Sequence, residues 1–138
     1  MSSPEGSMVT FRRASPGLRR GPIERFARRL QVEVAHGRGF DCLISGDAEL
    51  RRLNRDFRGE DHPTDVLSFR GGAGYLGDIL ISAETAYTQA GKSSTLNFDT
   101  NIRRLILHGL LHLMGYDHET DGGEMRAIER RLRRRFQC

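Results

Sequence analysis

Long hydrophobic runs are missing from this chain. The longest apolar stretch lies within residues 105–118 and is interrupted by histidines, well short of the ~20 residues that a bilayer-spanning helix needs. The N-terminal residues show no basic segment followed by an apolar run, so no secretory signal is expected. Cysteine is scarce: Cys42 and Cys138 are the only two, far apart and without a C-x-x-C pair. That excludes a disulfide framework, makes thiolate metal ligation improbable and fits a reducing cytoplasm best. Phosphate-binding glycine motifs (P-loop, G-x-G-x-x-G) and internal repeats are also absent. Lysine is nearly absent: Lys92 is the only one among 22 basic residues, the rest being arginine. The net charge of +4 favours a polyanionic partner such as RNA. An arginine bias this strong also suits genome base composition or heat tolerance, so charge weighs modestly.

What remains describes one domain. A chain of 138 residues, 37% hydrophobic and 29% charged, is large enough for a single core. Residues 1–8, opening MSSPEGS, read as a disordered lead or cloning remnant, and residues 9–138 as the domain. Hydrophobic periodicity predicts strands over residues 9–12, 40–45, 66–69 and 76–82. It predicts helices over 19–35, 48–57, 83–90, a histidine-bearing helix from about 99, and 124–136. Asp47 is expected to cap the second helix, with Leu50, Leu53 and Phe57 as its apolar stripe; Asp99 or Thr100 is expected to cap the fourth. Pro16 and Pro63 read as chain breaks and Gly59 as a helix end. The arginines of the first and last helices read as solvated faces, with phosphate contact as the sharper alternative.

Three of the five histidines, His108, His112 and His118, fall within 11 residues, spaced H-x-x-x-H-x-x-G-x-x-H. A four-residue step turns about 400° on an α-helix, so His108 and His112 share one face roughly 6 Å apart along the axis. Gly115 can take a left-handed turn and fold His118 back towards the same point. Leu105, Ile106, Leu107, Leu110, Leu111, Leu113 and Met114 cover almost every other direction, so the helix is predicted to be buried. Buried imidazoles need a hydrogen-bond partner or a metal. Three neutral histidines leave a fourth tetrahedral position for water, the plan of a catalytic Zn2+ site. Histidine-only sites also suit Ni2+, Co2+ or Cu2+.

The pattern is similar to the long metalloprotease signature H-E-x-x-H-x-x-G-x-x-H, but Gly109 stands where the protease has its glutamate base. A peptidase is therefore disfavoured. The string HGLLHLMGYDH resembles the YbeY family of bacterial metal-dependent endoribonucleases, as do the block from Asn54 to Phe69, ending TDVLSF, and LGDILIS upstream of the histidines. The resemblance implies an α+β, zincin-like fold with a small mixed β-sheet packed by helices and a buried metal-binding helix. It implies single-strand-specific cleavage of ribosomal RNA precursors, in rRNA maturation and ribosome quality control, with RNA and the ribosome as partners and no membrane. It places Arg58 beside the metal as a catalytic residue, where a guanidinium can hold and neutralise a phosphate. Family members often carry a further histidine four residues before the first ligand; here that position is Arg104.

Other residues are weaker candidates. Asp117 is a candidate base, or a brace for His118 or the turn; Asp78 either faces the site or pairs with an arginine; His62 is not expected to be a ligand. Two alternatives stand beside the nuclease. One is a metallopeptidase or other zinc hydrolase drawing a carboxylate from Glu84 or Asp78. The other is a non-catalytic, ribosome-associated RNA-binding protein with a structural metal.

Overall fold

The computed structural model describes residues 8–12, 17–62 and 64–138. The polar lead at residues 1–7, the break at Pro16 and the turn at Pro63 lie outside the described residues. Met8 does not belong to a lead: it is buried and its backbone N–H donates to Glu24 Oε2 at 2.7 Å.

Among the described residues nine elements follow in order: β1 (Val9–Phe11), α1 (Arg20–Glu33), β2 (Gly39–Ser45), α2 (Asp47–Arg58), β3 (Val66–Arg70), β4 (Tyr75–Ser82), α3 (Ala83–Gly91), α4 (Phe98–Leu113) and α5 (Glu124–Phe136). The four strands form one sheet in the order β1-β2-β4-β3, with β3 antiparallel and the other pairings parallel. This is the α+β architecture with a small mixed sheet expected from the sequence.

Strand alternation sorts the side chains onto two faces. Cys42, Ile44, Ile79 and Ile81 join the main core with Ile102, Ile106, Leu107 and Leu110 of α4 and with Phe26 and Leu30 of α1. On the other face Leu67 and Leu80, opposite each other across β3 and β4, pack with Leu43 and with Leu50 and Leu53 of α2. Each fully buried leucine or isoleucine contributes about 1.5–3 kcal/mol of apolar burial. Helix α4 therefore lies against the sheet with nine of its sixteen residues buried, as the histidine helix was expected to.

Three local expectations are corrected. Asp47 does not cap α2; its carboxylate accepts the hydroxyls of Ser82 and Thr85 at the start of α3, while its N–H donates to Glu84 Oε1 at 2.8 Å. Two helix N-termini are thus braced against each other, which requires the β2–β4 pairing that brings them together. The cap of α4 is Asn97, whose side chain accepts the Thr100 N–H at 2.8 Å, and Asp99 instead pairs with Arg103 one turn on. Phe57 is 70% exposed rather than buried with Leu50 and Leu53, and its ring lies 5.7 Å from that of Phe69 in a T-shaped contact. Gly59 does end α2, in the left-handed conformation at φ 72°.

Candidate active site

Helix α4 carries His108 and His112 one turn apart, and Gly115 at φ 103° reverses the chain as expected. The reversal is held by Tyr116 N–H donating to Leu111 O at 3.0 Å. It delivers His118 to the other two: one ring nitrogen from each histidine lies within 4.8 Å of the others. His108 and His112 are half-buried and His118 is exposed, so the cluster opens to solvent on one side.

The far nitrogens decide the chemistry. His108 Nδ1 lies 3.0 Å from Glu129 Oε2, and His112 Nδ1 lies 3.0 Å from the Tyr116 carbonyl. An ionised carboxylate and a carbonyl only accept, so each Nδ1 carries a proton, and in the neutral imidazole each Nε2 then presents a lone pair. Those two Nε2 atoms face each other at 3.2 Å. Two lone pairs at that separation call for a cation between them, and a three-imidazole donor set with an open side fits a divalent transition metal. Burial, and then the neighbouring His108 and His118, hold the His112 imidazole below the usual histidine range. The neutral, ligating form is thereby favoured. Burial works against the charge on Glu129, but the His108 hydrogen bond and the Arg133 charge outweigh it and keep the carboxyl below its ordinary range.

Glu129 was missed from the sequence. Its signal was an acid set into the apolar stripe of α5, four residues after Met125 and three before Leu132, both buried. A carboxylate there must find a partner, because an unpaired buried charge is costly.

The histidines line a cleft of about 390 Å³ whose other walls include Arg58, Ser68, Arg70 and Asp117. Arg58, at the end of α2, has its guanidinium half in solvent and a loose 3.8 Å approach to Glu60. Ser68, also unforeseen, donates to the Gly109 carbonyl at 3.1 Å and ties β3 to α4 between the two helical histidines. Asp117 lines the cleft, but its Oδ1 accepts the Glu119 N–H at 3.0 Å, so it braces the turn next to His118.

Gly109 shows why no glutamate stands between the histidines. A Cβ there would lie 2.7 Å from Ile79 Cγ2, so the position faces β4 and not the cleft. The carboxylates that a peptidase would have needed lie elsewhere. Glu84 holds the α2 N-terminus, and Asp78, exposed on β4, accepts the Tyr75 hydroxyl at 2.6 Å and pairs with no arginine among the described residues. His62 sits outside the cluster, 3.0 Å from Glu60.

A mixed sheet with a buried helix presenting three convergent imidazoles, which could hold a metal ion, and an arginine at the cleft rim is the arrangement of a hydrolase. Residues 22–137 match the family described as Endoribonuclease YbeY, and the chain belongs to that family. Relatives bearing that name include one from Solibacter usitatus, 60% identical over 96% of this chain and 90% of its own length. Another, from Aquifex aeolicus, is 46% identical over 78% of this chain and 75% of its own. The fold also matches the solution structure of TM1509 from Thermotoga maritima, with a TM-score of 0.60 and 26% identity, covering 90% of this chain and 85% of that one.

Proposed function

We propose that the protein is a single-strand-specific, metal-dependent endoribonuclease of ribosomal RNA maturation and ribosome quality control, that its ion is Zn2+, and that it works in the cytoplasm on precursor RNA at the ribosome. Endoribonuclease activity is what membership of the family assigns. The observation that carries the metal-dependent reading is the facing pair of Nε2 lone pairs, with His118 beside them at the cleft. Among the described residues no helix is long and apolar enough to cross a membrane. Residues 9–138 form one catalytic domain in this reading, with buried Met8 packed at its edge.

His108, His112 and His118 would hold the ion. When bound, it supplies Lewis acidity towards a phosphoryl oxygen and a water of lowered pKa. The protein's own groups do the rest. Glu129 and the Tyr116 carbonyl fix the two Nδ1 protons and so aim Nε2 of His108 and His112 into the cleft. Among the described residues Arg58 is held by a single exposed, loose ion pair, so its guanidinium can swing onto a phosphate and neutralise the charge that grows there. Arg70 adds positive charge on the β3 side of the same cleft. The cleft is open, which suits an unpaired strand laid across it.

The test is cleavage of labelled single-stranded RNA and of casein by the wild type and by His112→Ala, with circular dichroism confirming the fold of both. RNA cleaved by the wild type and spared by the variant is the expected result. Cleavage of casein instead would refute the reading, as would RNA binding without cleavage that is indifferent to chelation.

A further inference from the structure

Among the described residues β3 has a single neighbour, β4, so its other side is an unpaired sheet edge. The ladder shows which main-chain groups are left over. Ser82 N–H donates to Asp65 O and Gly71 N–H to Leu76 O, each at 2.9 Å; between them Leu67 stands opposite Leu80 and Phe69 opposite Asp78. In an antiparallel pair, alternate residues turn both backbone groups towards the partner strand, and the residues between turn both away. Leu67 and Phe69 therefore face β4, and the N–H and C=O of Val66, Ser68 and Arg70 point off the sheet. Among the described residues nothing pairs with them.

The histidine cleft runs along this edge. Val66, Ser68 and Arg70 line it together with His108, His112 and His118, while Leu67 and Phe69 pack on the other face of the sheet towards α2. At the Val66 end the path continues into a second cavity of about 320 Å³, which lies among α3, α4 and α5 and shares Asp65, Val66 and His108 with the cleft.

We propose that the free edge of β3 is the guide for the substrate strand and the source of its single-strand selectivity. The outward N–H and C=O groups of Val66, Ser68 and Arg70 hydrogen-bond to unpaired base edges and 2′-hydroxyls, without choosing among the bases. The identity of the strand as RNA rests on the endoribonuclease reading.

A strand that fills the cleft strips water from these groups, and each then needs a partner. Phosphate oxygens only accept, so a row of phosphates would satisfy the N–H groups and oppose the carbonyls. Base edges and 2′-hydroxyls both donate and accept, which matches the alternation along the edge. The outward pairs recur every second residue, about 6.6–6.8 Å apart, close to the step of one nucleotide in an extended strand. Arg58 and Arg70, in the same cleft, are left for the phosphates. A duplex has already spent its Watson–Crick edges on its other strand and cannot pair with the edge in this way.

Proline tests the edge directly. At a position whose N–H points off the sheet it deletes that donor and spares the ladder. Val66→Pro is compared with Val66→Ala, which loses the side chain but keeps the N–H. Fluorescence anisotropy reports Kd for a short single-stranded RNA with phosphorothioate linkages, which resist cleavage, and for the same strand in a duplex; cleavage is followed on ordinary RNA of that sequence. Val66→Pro should bind the single strand about two- to tenfold more weakly than Val66→Ala, and its preference over the duplex should shrink by the same factor. Equal affinity in the two variants, or an equal loss for the duplex, would overturn the proposal. Amide hydrogen exchange of the wild type, followed by NMR, needs no variant and decides the matter should Val66→Pro not fold. Single-stranded RNA should slow exchange at Val66, Ser68 and Arg70. No slowing there, or slowing by an unstructured casein peptide and not by RNA, would overturn the proposal and, in the second case, assign the edge to a peptide strand. Protection by RNA in a protein that cleaves none would count against the endoribonuclease reading and leave the edge standing.

Discussion

Replacing Gly109 with alanine sets two effects of opposite sign against each other. In a helix interior, glycine to alanine stabilises by about 0.5–1 kcal/mol, because the unfolded chain has less freedom to lose. In α4 the new methyl would stand 2.7 Å from Ile79 Cγ2, 3.2 Å from Ile79 Cγ1 and 3.1 Å from Ser68 Oγ. Carbon atoms settle at about 3.5–4.0 Å, so the helix and the strand must part by something approaching 1 Å. Ile79 cannot give way cheaply: it is fully buried on β4, which is hydrogen-bonded to β2 on one side and β3 on the other. Overpacking of this kind costs about 1–3 kcal/mol, so the net expectation is a loss of about 0.5–2 kcal/mol. For a chain of this size that lowers Tm by about 2–8 °C. The shift also stretches the Ser68 bond to the Gly109 carbonyl and moves His108 and His112 against Arg58, so RNA cleavage should fall by about tenfold or more. Thermal unfolding of the metal-free protein by circular dichroism reads the first quantity and single-turnover cleavage the second. A Gly109→Ala protein that melts at or above the wild-type temperature would refute the packing argument, because propensity alone would then have won.

Glu129→Gln should weaken metal binding by about 10–100-fold while leaving the fold intact, since it removes the carboxylate that aims His108; competition with a chelator measures it, and a change under twofold would deny Glu129 that role. Without metal, stability should fall with acidification in two windows. His112 is held below the ordinary histidine range, so below about pH 6.5 the unfolded chain takes up a proton that the folded site resists. Glu129 is likewise held low, so its contribution is present above its ordinary range and disappears as the pH falls through its lowered folded value. Urea midpoints between pH 8 and pH 3 test both signs. Cys42 and Cys138 should resist iodoacetamide in the native protein at pH 8 and react once it is denatured, because burial pushes both thiols up.

Much of the histidine cluster could be read from residue order because its geometry is local. A four-residue step puts two histidines on one helix face whatever surrounds them, and a glycine can make the left-handed turn that brings His118 back. The helices and strands emerged from their 3.6- and 2-residue periods for the same reason. The interactions missed or misplaced run between elements. Glu129 reaches His108 from α5 across 21 residues, Ser68 reaches Gly109 across 41, and Asp47 braces α3 from 38 residues away. The second cavity exists only where α3, α4 and α5 approach one another beside Asp65.

Sequence alone thus determined which residues can bind an ion and where each helix turns. Tertiary structure decided which nitrogen of His108 and of His112 carries a proton, why position 109 admits no side chain, and which second pocket adjoins the first. The physical reason is that backbone periodicity is set by neighbours along the chain, whereas the partner of a buried polar group is set by the angles and distances at which whole elements pack.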